Sequence, residues 1–175
     1  MSRKWNELRA VARRTGVRRV IEGVLIVALF LGVRALTLRG VASGEAPALA
    51  GRDVLGQRVS LDDWRGQAVA VDFWATWCEV CRVESGSVAS LARSGKVITV
   101  ATSSGDAATV RAKMQKEGVS FPVVVVDPDG AIAAAWGVTR FPTTFFLNRA
   151  HRVTTVESGY TTWLGMKARL AWAGL

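Results

Sequence analysis

Apolar residues in this chain fall into short runs separated by longer amphipathic stretches. Ala68–Phe73 (AVAVDF), Val97–Ala101 (VITVA) and Pro122–Val126 (PVVVV) are apolar runs of strand length, as expected for strands buried on both faces. Helices are expected between them, from about Glu79 to Arg93 and over Asp106–Glu117. A short one follows the turn Asp127-Pro128-Asp129-Gly130 and runs to about Trp136. Thr143–Leu147 and Arg152–Glu157 alternate about Asn148–Ala150 and read as an antiparallel hairpin, with a last helix from Thr161 to about Ala173. Upstream, Arg52–Leu61 shows two extended pieces around Gly56-Gln57, another hairpin. Strands alternating with helices, then a hairpin and a helix, predict an α/β domain over residues 51–175, a central mixed sheet with helices on both faces.

A different pattern precedes this domain. Gly23–Val33 (GVLIVALFLGV) is apolar all round, with no polar face to mark a surface amphipathic helix. As a helix it reaches only about 16 Å, short of a hydrocarbon core of about 30 Å. Val20–Leu38 approaches the full span but admits Glu22 and Arg34, near the ends, where long side chains snorkel toward headgroups.

Charge sharpens that reading. The 175 residues carry a net +9, but residues 1–40 hold nine basic and two acidic side chains, while residues 41–175 hold fourteen and twelve. The basicity is thus N-terminal, and no nucleic-acid signature follows from it. Seven basic residues precede the apolar segment. The positive-inside rule then keeps residues 1–19 cytoplasmic, makes 20–38 a single-pass anchor in the inner membrane and exports the remainder to the periplasm. A cleaved signal peptide is the alternative, because the apolar stretch has h-region length and Val41-Ala42-Ser43 resembles a cleavage site. Both readings export the body. Residues 39–50, small and flexible in composition, are expected to form a tether.

That exported body holds the chain's two cysteines. Cys78-Glu79-Val80-Cys81 falls where a strand gives way to a helix, and the i, i+3 spacing brings the sulfurs close enough to bridge. The first sulfur sits at the helix N-terminus, where unpaired N–H groups favour a thiolate; the second lies one turn deeper. An exposed attacker and a sheltered resolver suit thiol–disulfide exchange. Three other readings compete. A structural disulfide gains little from closing so short a loop. A structural zinc site wants four ligands, against two cysteines and a distant His151. A copper(I) site wants further soft ligands, and the nearest methionine in sequence is Met114. Redox exchange, with neither metal nor other cofactor, is the expected chemistry; a copper(I)- or metal-binding thiol module without turnover is the rival.

Val71–Cys81 (VDFWATWCEVC) resembles the active-site strand and helix start of the thioredoxin superfamily, and Arg140-Phe141-Pro142-Thr143 is similar to its cis-proline turn. The anchor, the tether, the Leu-Gly-Gln-x-Val-Ser-Leu hairpin and Phe-Trp-Ala-Thr-Trp-Cys together resemble the membrane-tethered TlpA-like proteins. The tail Gly159–Leu170 (GYTTWLGMKARL) is most similar to disulfide oxidoreductases of ScsD type, linked to copper-sensitivity suppression. The resemblance implies a thioredoxin fold with Cys78 and Cys81 as a redox-active disulfide. It also implies a reductase of partner-protein disulfides, fed by a membrane thiol carrier. A cis Pro142 would set the Phe141 backbone beside Cys78, free to pair with a substrate strand. Trp77, next to the first thiol, is expected on that docking face. Two positions depart from the family pattern. Glu79-Val80 replaces Gly-Pro between the cysteines, and Phe141 stands where Val, Thr or Ile is common.

One residue breaks the buried pattern of the strand, Asp72, six residues before Cys78. From the strand alone, a satisfied structural acid and a functional one are equally open. Burial without a charge partner should raise its pKa. The resemblance carries the superfamily's buried proton-transfer aspartate onto this position, as the base that serves Cys81. Trp74 and Trp136 are expected in the core, Glu84 on the solvated helix face and His151 in solvent at the hairpin turn.

Overall fold

The computed structural model describes residues 2–37 and 40–175, with side chains described at 18–36 and 40–175. The chain divides after Gly40 into two units. The first is one helix, α1 (Ser2–Thr37). Its apolar side chains from Val20 to Leu36 are exposed on every side, Leu29 at 69% and Phe30 at 64%. Arg18 pairs with Glu22 one turn on, at 2.9 Å. Among the described residues, no helix is long and apolar enough to cross a membrane; the uninterrupted apolar run ends at Glu22 on one side and Arg34 on the other.

The second unit is built on a six-stranded sheet. In chain order its elements are β1 (Gly44–Glu45), a hairpin of β2 (Ala50–Arg52) and β3 (Arg58–Ser60), then β4 (Val69–Trp74), α2 (Glu79–Ala92) and β5 (Val97–Thr102). They continue with α3 (Ala107–Glu117), β6 (Val124–Asp127), α4 (Ala131–Ala135), β7 (Thr143–Leu147), β8 (Arg152–Ser158) and α5 (Trp163–Ala173). The order across the sheet is β1-β8-β7-β4-β5-β6, with β4, β5 and β6 parallel and the other pairings antiparallel. The β4–α2–β5 and β5–α3–β6 crossovers step the same way along the sheet. Right-handed crossovers therefore bring α2 and α3 to one face.

Alternation along β4 assigns its residues to the two faces. Ala70 and Trp74 join Cys81, Val88 and Leu91 of α2, Val110 of α3, and Met166 and Leu170 of α5 in one core. On the opposite face Phe73, Trp136 and Phe145 pack mutually, with ring centroids 4.8–5.7 Å apart. All three are 0% exposed. Asp72 shares the helix-covered face with Ala70 and Trp74, so α2, and not solvent, lies over it.

Two expectations fail together at one sheet edge. Residues 41–50 are not a free tether: Gly44 and Glu45 pair with Val153 and Arg152 of β8, and Leu49 is 2% exposed. His151 is not in solvent but 6% exposed. The reason is shared, because Ala46 N–H donates to the His151 carbonyl at 2.9 Å and lays this segment along the β7–β8 turn.

The β2–β3 hairpin closes on Asp53, whose Oδ1 accepts from the Leu55 and Gln57 N–H groups at 2.8 Å each. It packs tightly against β6. A Cβ placed on Gly51 would stand 2.7 Å from Val125 Cγ1, and Val125 is β-branched and 0% exposed, so it has little room to yield. Gly51→Ala is expected to destabilise the domain by about 1–3 kcal/mol in chemical denaturation, the usual cost of overpacking a core.

Candidate active site

β4 ends at Trp74, and the chain turns through Ala75-Thr76-Trp77 to Cys78, the N-cap of α2. The turn is held by the loop that follows β5. Thr76 N–H donates to Ser104 Oγ at 2.9 Å, and the Trp77 indole N–H donates to the Ser103 carbonyl at 3.1 Å. Cys78 and Cys81 form a disulfide, with Cα atoms 5.3 Å apart. Cys78 Sγ accepts the Cys81 N–H at 3.1 Å, so a sulfur performs the capping that Ser or Asp usually does. A thiolate there would meet the free N–H groups and positive end of α2, which stabilise it. The two sulfurs differ in shelter: Cys78 is half-buried, whereas Cys81 is 6% exposed.

Around Cys78 the surface is apolar. Trp77 is 62% and Val80 46% exposed. Phe141 meets the Trp77 ring edge-to-face with centroids 5.6 Å apart. The Phe141–Pro142 peptide bond is cis, and the Pro142 carbonyl accepts from Gly159 N–H at 2.8 Å. The structure thus brings Trp77, Phe141 and Cys78 to one surface. Glu79 points outward and pairs with Arg82 at 2.6 Å. That hydrogen bond and charge hold the Glu79 carboxyl below the usual carboxylate range.

Beneath the sulfurs lies a cavity of ≈ 10 Å³, about the room one water centre needs, lined by Asp72, Cys78, Cys81, Glu84, Met114 and Phe121 among others. Asp72 is 2% exposed and stands opposite Thr144 in the β4–β7 ladder. Thr144 Oγ1 donates to Asp72 Oδ1 at 2.9 Å. Burial nonetheless wins, pushing the Asp72 carboxyl up to about 7, with the Thr144 bond opposing it.

Glu84 corrects the sequence reading. It was expected on the solvated face and is 1% exposed. One oxygen accepts from the Thr161 N–H at 2.5 Å. The other is buried with no hydrogen-bond partner among the described residues. Burial, and then the neighbouring Asp72 charge, raise its carboxyl to about 8. A signal for this was present in the helix phase. Cys81, Glu84, Val88 and Leu91 follow the i, i+3/i+4 spacing of one buried stripe. Met114 is a second correction: distant in sequence, it reaches the same cavity as both sulfurs, because α3 crosses on the α2 face. Among the described residues no group of three or more His, Cys, Asp or Glu could hold a metal ion.

The redoxin family model matches residues 42–169. The thiol-disulfide oxidoreductase ResA of Bacillus subtilis is 35% identical over 158 residues, covering 86% of this chain and 88% of ResA. A thioredoxin-like protein of Haemophilus influenzae is 33% identical, with 77% of this chain and 81% of that protein covered. Among solved structures, a thiol:disulfide interchange protein DsbE from Chlorobium tepidum matches with a TM-score of 0.63 at 25% identity, over 76% of this chain and 98% of that one. Sheet order, disulfide and likeness together define a thioredoxin-fold protein disulfide oxidoreductase. Within that class the chain belongs to the redoxin family and is a TlpA-like member of the thioredoxin superfamily.

The raised carboxyls have a consequence for stability. Unfolded, both groups ionise near pH 4; folded, Asp72 holds its proton to about 7 and Glu84 to about 8. Their contribution is therefore full below pH 4 and is lost as pH rises through the folded values. Asp72→Asn should match the wild type at pH 4 and exceed it by on the order of 1–3 kcal/mol at pH 8, read by urea denaturation across that range.

Proposed function

We propose that the chain is an exported, membrane-tethered reductase of partner-protein disulfides. The observation that supports the exchange chemistry of this reading is the pair of buried carboxyls facing one cavity with a sheltered sulfur. A substrate segment lies over Trp77, Val80 and the Phe141–Pro142 turn, its backbone alongside Phe141. Cys78 thiolate attacks one substrate sulfur, forming a mixed disulfide and releasing the other sulfur as a thiol once it takes up a proton. Cys81 then loses its proton to Asp72, attacks Cys78 Sγ and releases the second substrate thiol. The protein is left as the Cys78–Cys81 disulfide, two electrons poorer, and a membrane thiol carrier restores it.

Asp72 suits the role of base because burial poises it near neutrality. An exposed aspartate, ionising near pH 4, would draw the proton from a buried thiol far less well. Glu84 is a second titratable carboxyl in the same cavity, and its charge state is tied to that of Asp72. The reductase direction rests on the TlpA-like resemblance. Export and tethering rest on the seven basic residues ahead of Gly23–Val33 and on the exposed apolar surface of α1, which lipid would cover.

Cys81→Ser should accumulate mixed disulfides with partner proteins while Cys78→Ser traps few; trapping through the Cys78→Ser variant would reverse the two roles. Asp72→Asn is expected to slow resolution of a preformed mixed disulfide by about 10- to 100-fold, a discount on general-base effects of 10²–10⁴. Stopped-flow kinetics from pH 6 to 9 read this, and an unaltered rate and pH profile would remove Asp72 from the mechanism. The reduction potential tests direction, since a value near about −270 mV belongs to a reductant and one near about −120 mV to an oxidant. A reporter active only outside the cytoplasm, fused after Leu175, should give signal; silence from a stable fusion would overturn export.

A further inference from the structure

The outer surface of α5 is apolar where a surface helix should be polar. The helix buries Met166, Leu170 and Ala173 against the core. Its opposite side presents Leu164, Ala168, Ala171 and Trp172, while Trp163 and Lys167 lie on the flank that lines the neighbouring groove. Leu164 is 67% and Trp172 69% exposed. Large contiguous apolar surface of this kind marks a contact that the free domain leaves open.

Beside that face, α5 and the C-terminal half of α2 form a groove of ≈ 600 Å³. Lys96, Arg149 and Lys167 line it, and no acidic side chain does. The acids of the adjoining turn are already engaged: Asp62 pairs with Arg65 at 3.0 Å, and Asp63 accepts the Ser60 N–H at 3.0 Å. Three cations and no acidic side chain on one groove are a local excess in a body whose fourteen basic and twelve acidic residues nearly cancel. The Lys167 ammonium stands 5.0 Å from the Trp163 ring centroid, its charge held at the border between groove and apolar face.

We propose that this surface docks on an anionic phospholipid bilayer, the Trp172 indole and Leu164 entering the headgroup boundary and the three cations meeting lipid phosphates. Charge complementarity selects this occupant. A two-fold dimer through the same face would bring Lys96, Arg149 and Lys167 toward their own copies, which repel. A bilayer accepts a flat apolar strip edged with Trp and Lys without requiring a shaped pocket. Each cation is worth about a fivefold gain in partitioning at an anionic surface. The groove includes Leu91 and Ser94 at the C-terminal end of α2, and Cys78 caps its other end. Docking therefore leaves the disulfide about 20 Å along the helix, clear of lipid and open to protein substrates. The tether of the proposed function would keep the surface within reach of a bilayer, and the docking rests on that reading only to this extent.

The test uses the full chain with vesicles of zwitterionic lipid, or of zwitterionic and anionic lipid mixed, each carrying brominated acyl chains that quench nearby indoles. Subtracting the emission of Trp172→Phe from that of the wild type isolates one indole of the seven. Quenching of that difference signal is expected with anionic vesicles. It should be lost in about 1 M salt, where the screening length falls to about 3 Å, and in the triple variant Lys96→Glu, Arg149→Glu, Lys167→Glu. A Trp172 signal unquenched by anionic vesicles would overturn the proposal. So would quenching that survives both salt and the triple variant, or a lipid-free dimer that shields Trp172. Alkaline extraction of the same vesicles reads α1 separately: release of the chain would sink the tether, whereas the Trp172 signal alone decides docking.

Discussion

Asp72 and Glu84 face one cavity from which bulk water is excluded, one from the central strand and one from the helix that the disulfide begins. Neither ionises freely, because burial penalises each charge and the Asp72 charge raises the Glu84 carboxyl further. Much of the surrounding structure serves to hold that pair. The β4–β7 register sets Thr144 opposite Asp72 and gives the acid a hydroxyl. The segment leading into α5 delivers the Thr161 N–H to Glu84. The phase of α2 turns Cys81 and Glu84 inward together, three residues apart.

The sheet separates this chemistry from the structural core. On the face away from α2, Phe73, Trp136 and Phe145 are fully buried and touch edge-on, with no ionisable group among them. Burying side chains of this size contributes about 1.5–3 kcal/mol each. That gain offsets a helix-covered face that keeps two carboxyls short of their favoured ionised state. The site can be strained electrostatically because the opposite face carries no such burden.

Surface chemistry is divided in a similar way. Trp77, Val80 and Phe141 ring the half-buried Cys78 with apolar surface. Lys96, Arg149 and Lys167 line a groove at the other end of α2. Arg82 and Glu79 neutralise each other between these regions, so the neighbourhood of Cys78 carries a paired charge and not a lone one. The redox pair and the basic groove therefore occupy different parts of one small domain.

Much of this was legible in the residues themselves. Strand and helix positions follow from local periodicity, which is why β4, β5, α2 and the β7–β8 hairpin lie where the apolar pattern puts them, to within a residue or two. The cysteine pair at a strand-to-helix junction, and an acid inside an apolar strand, are local features too. What the sequence could not express were contacts whose partners arrive from far along the chain. His151 is buried only because residues 44–46 lie along its turn. Met114 lines the cavity of the sulfurs only because two right-handed crossovers share a face. Glu84 shows the boundary most clearly. Its inward phase could be counted from Cys81, Val88 and Leu91, but the backbone N–H that makes its burial tolerable belongs to Thr161, seventy-seven residues on. The sequence by itself determined which residues are apolar, which acids and sulfurs exist and how they repeat. Only the tertiary structure decided which of them are dry, since exclusion of water is a property of packed neighbours and of no residue alone.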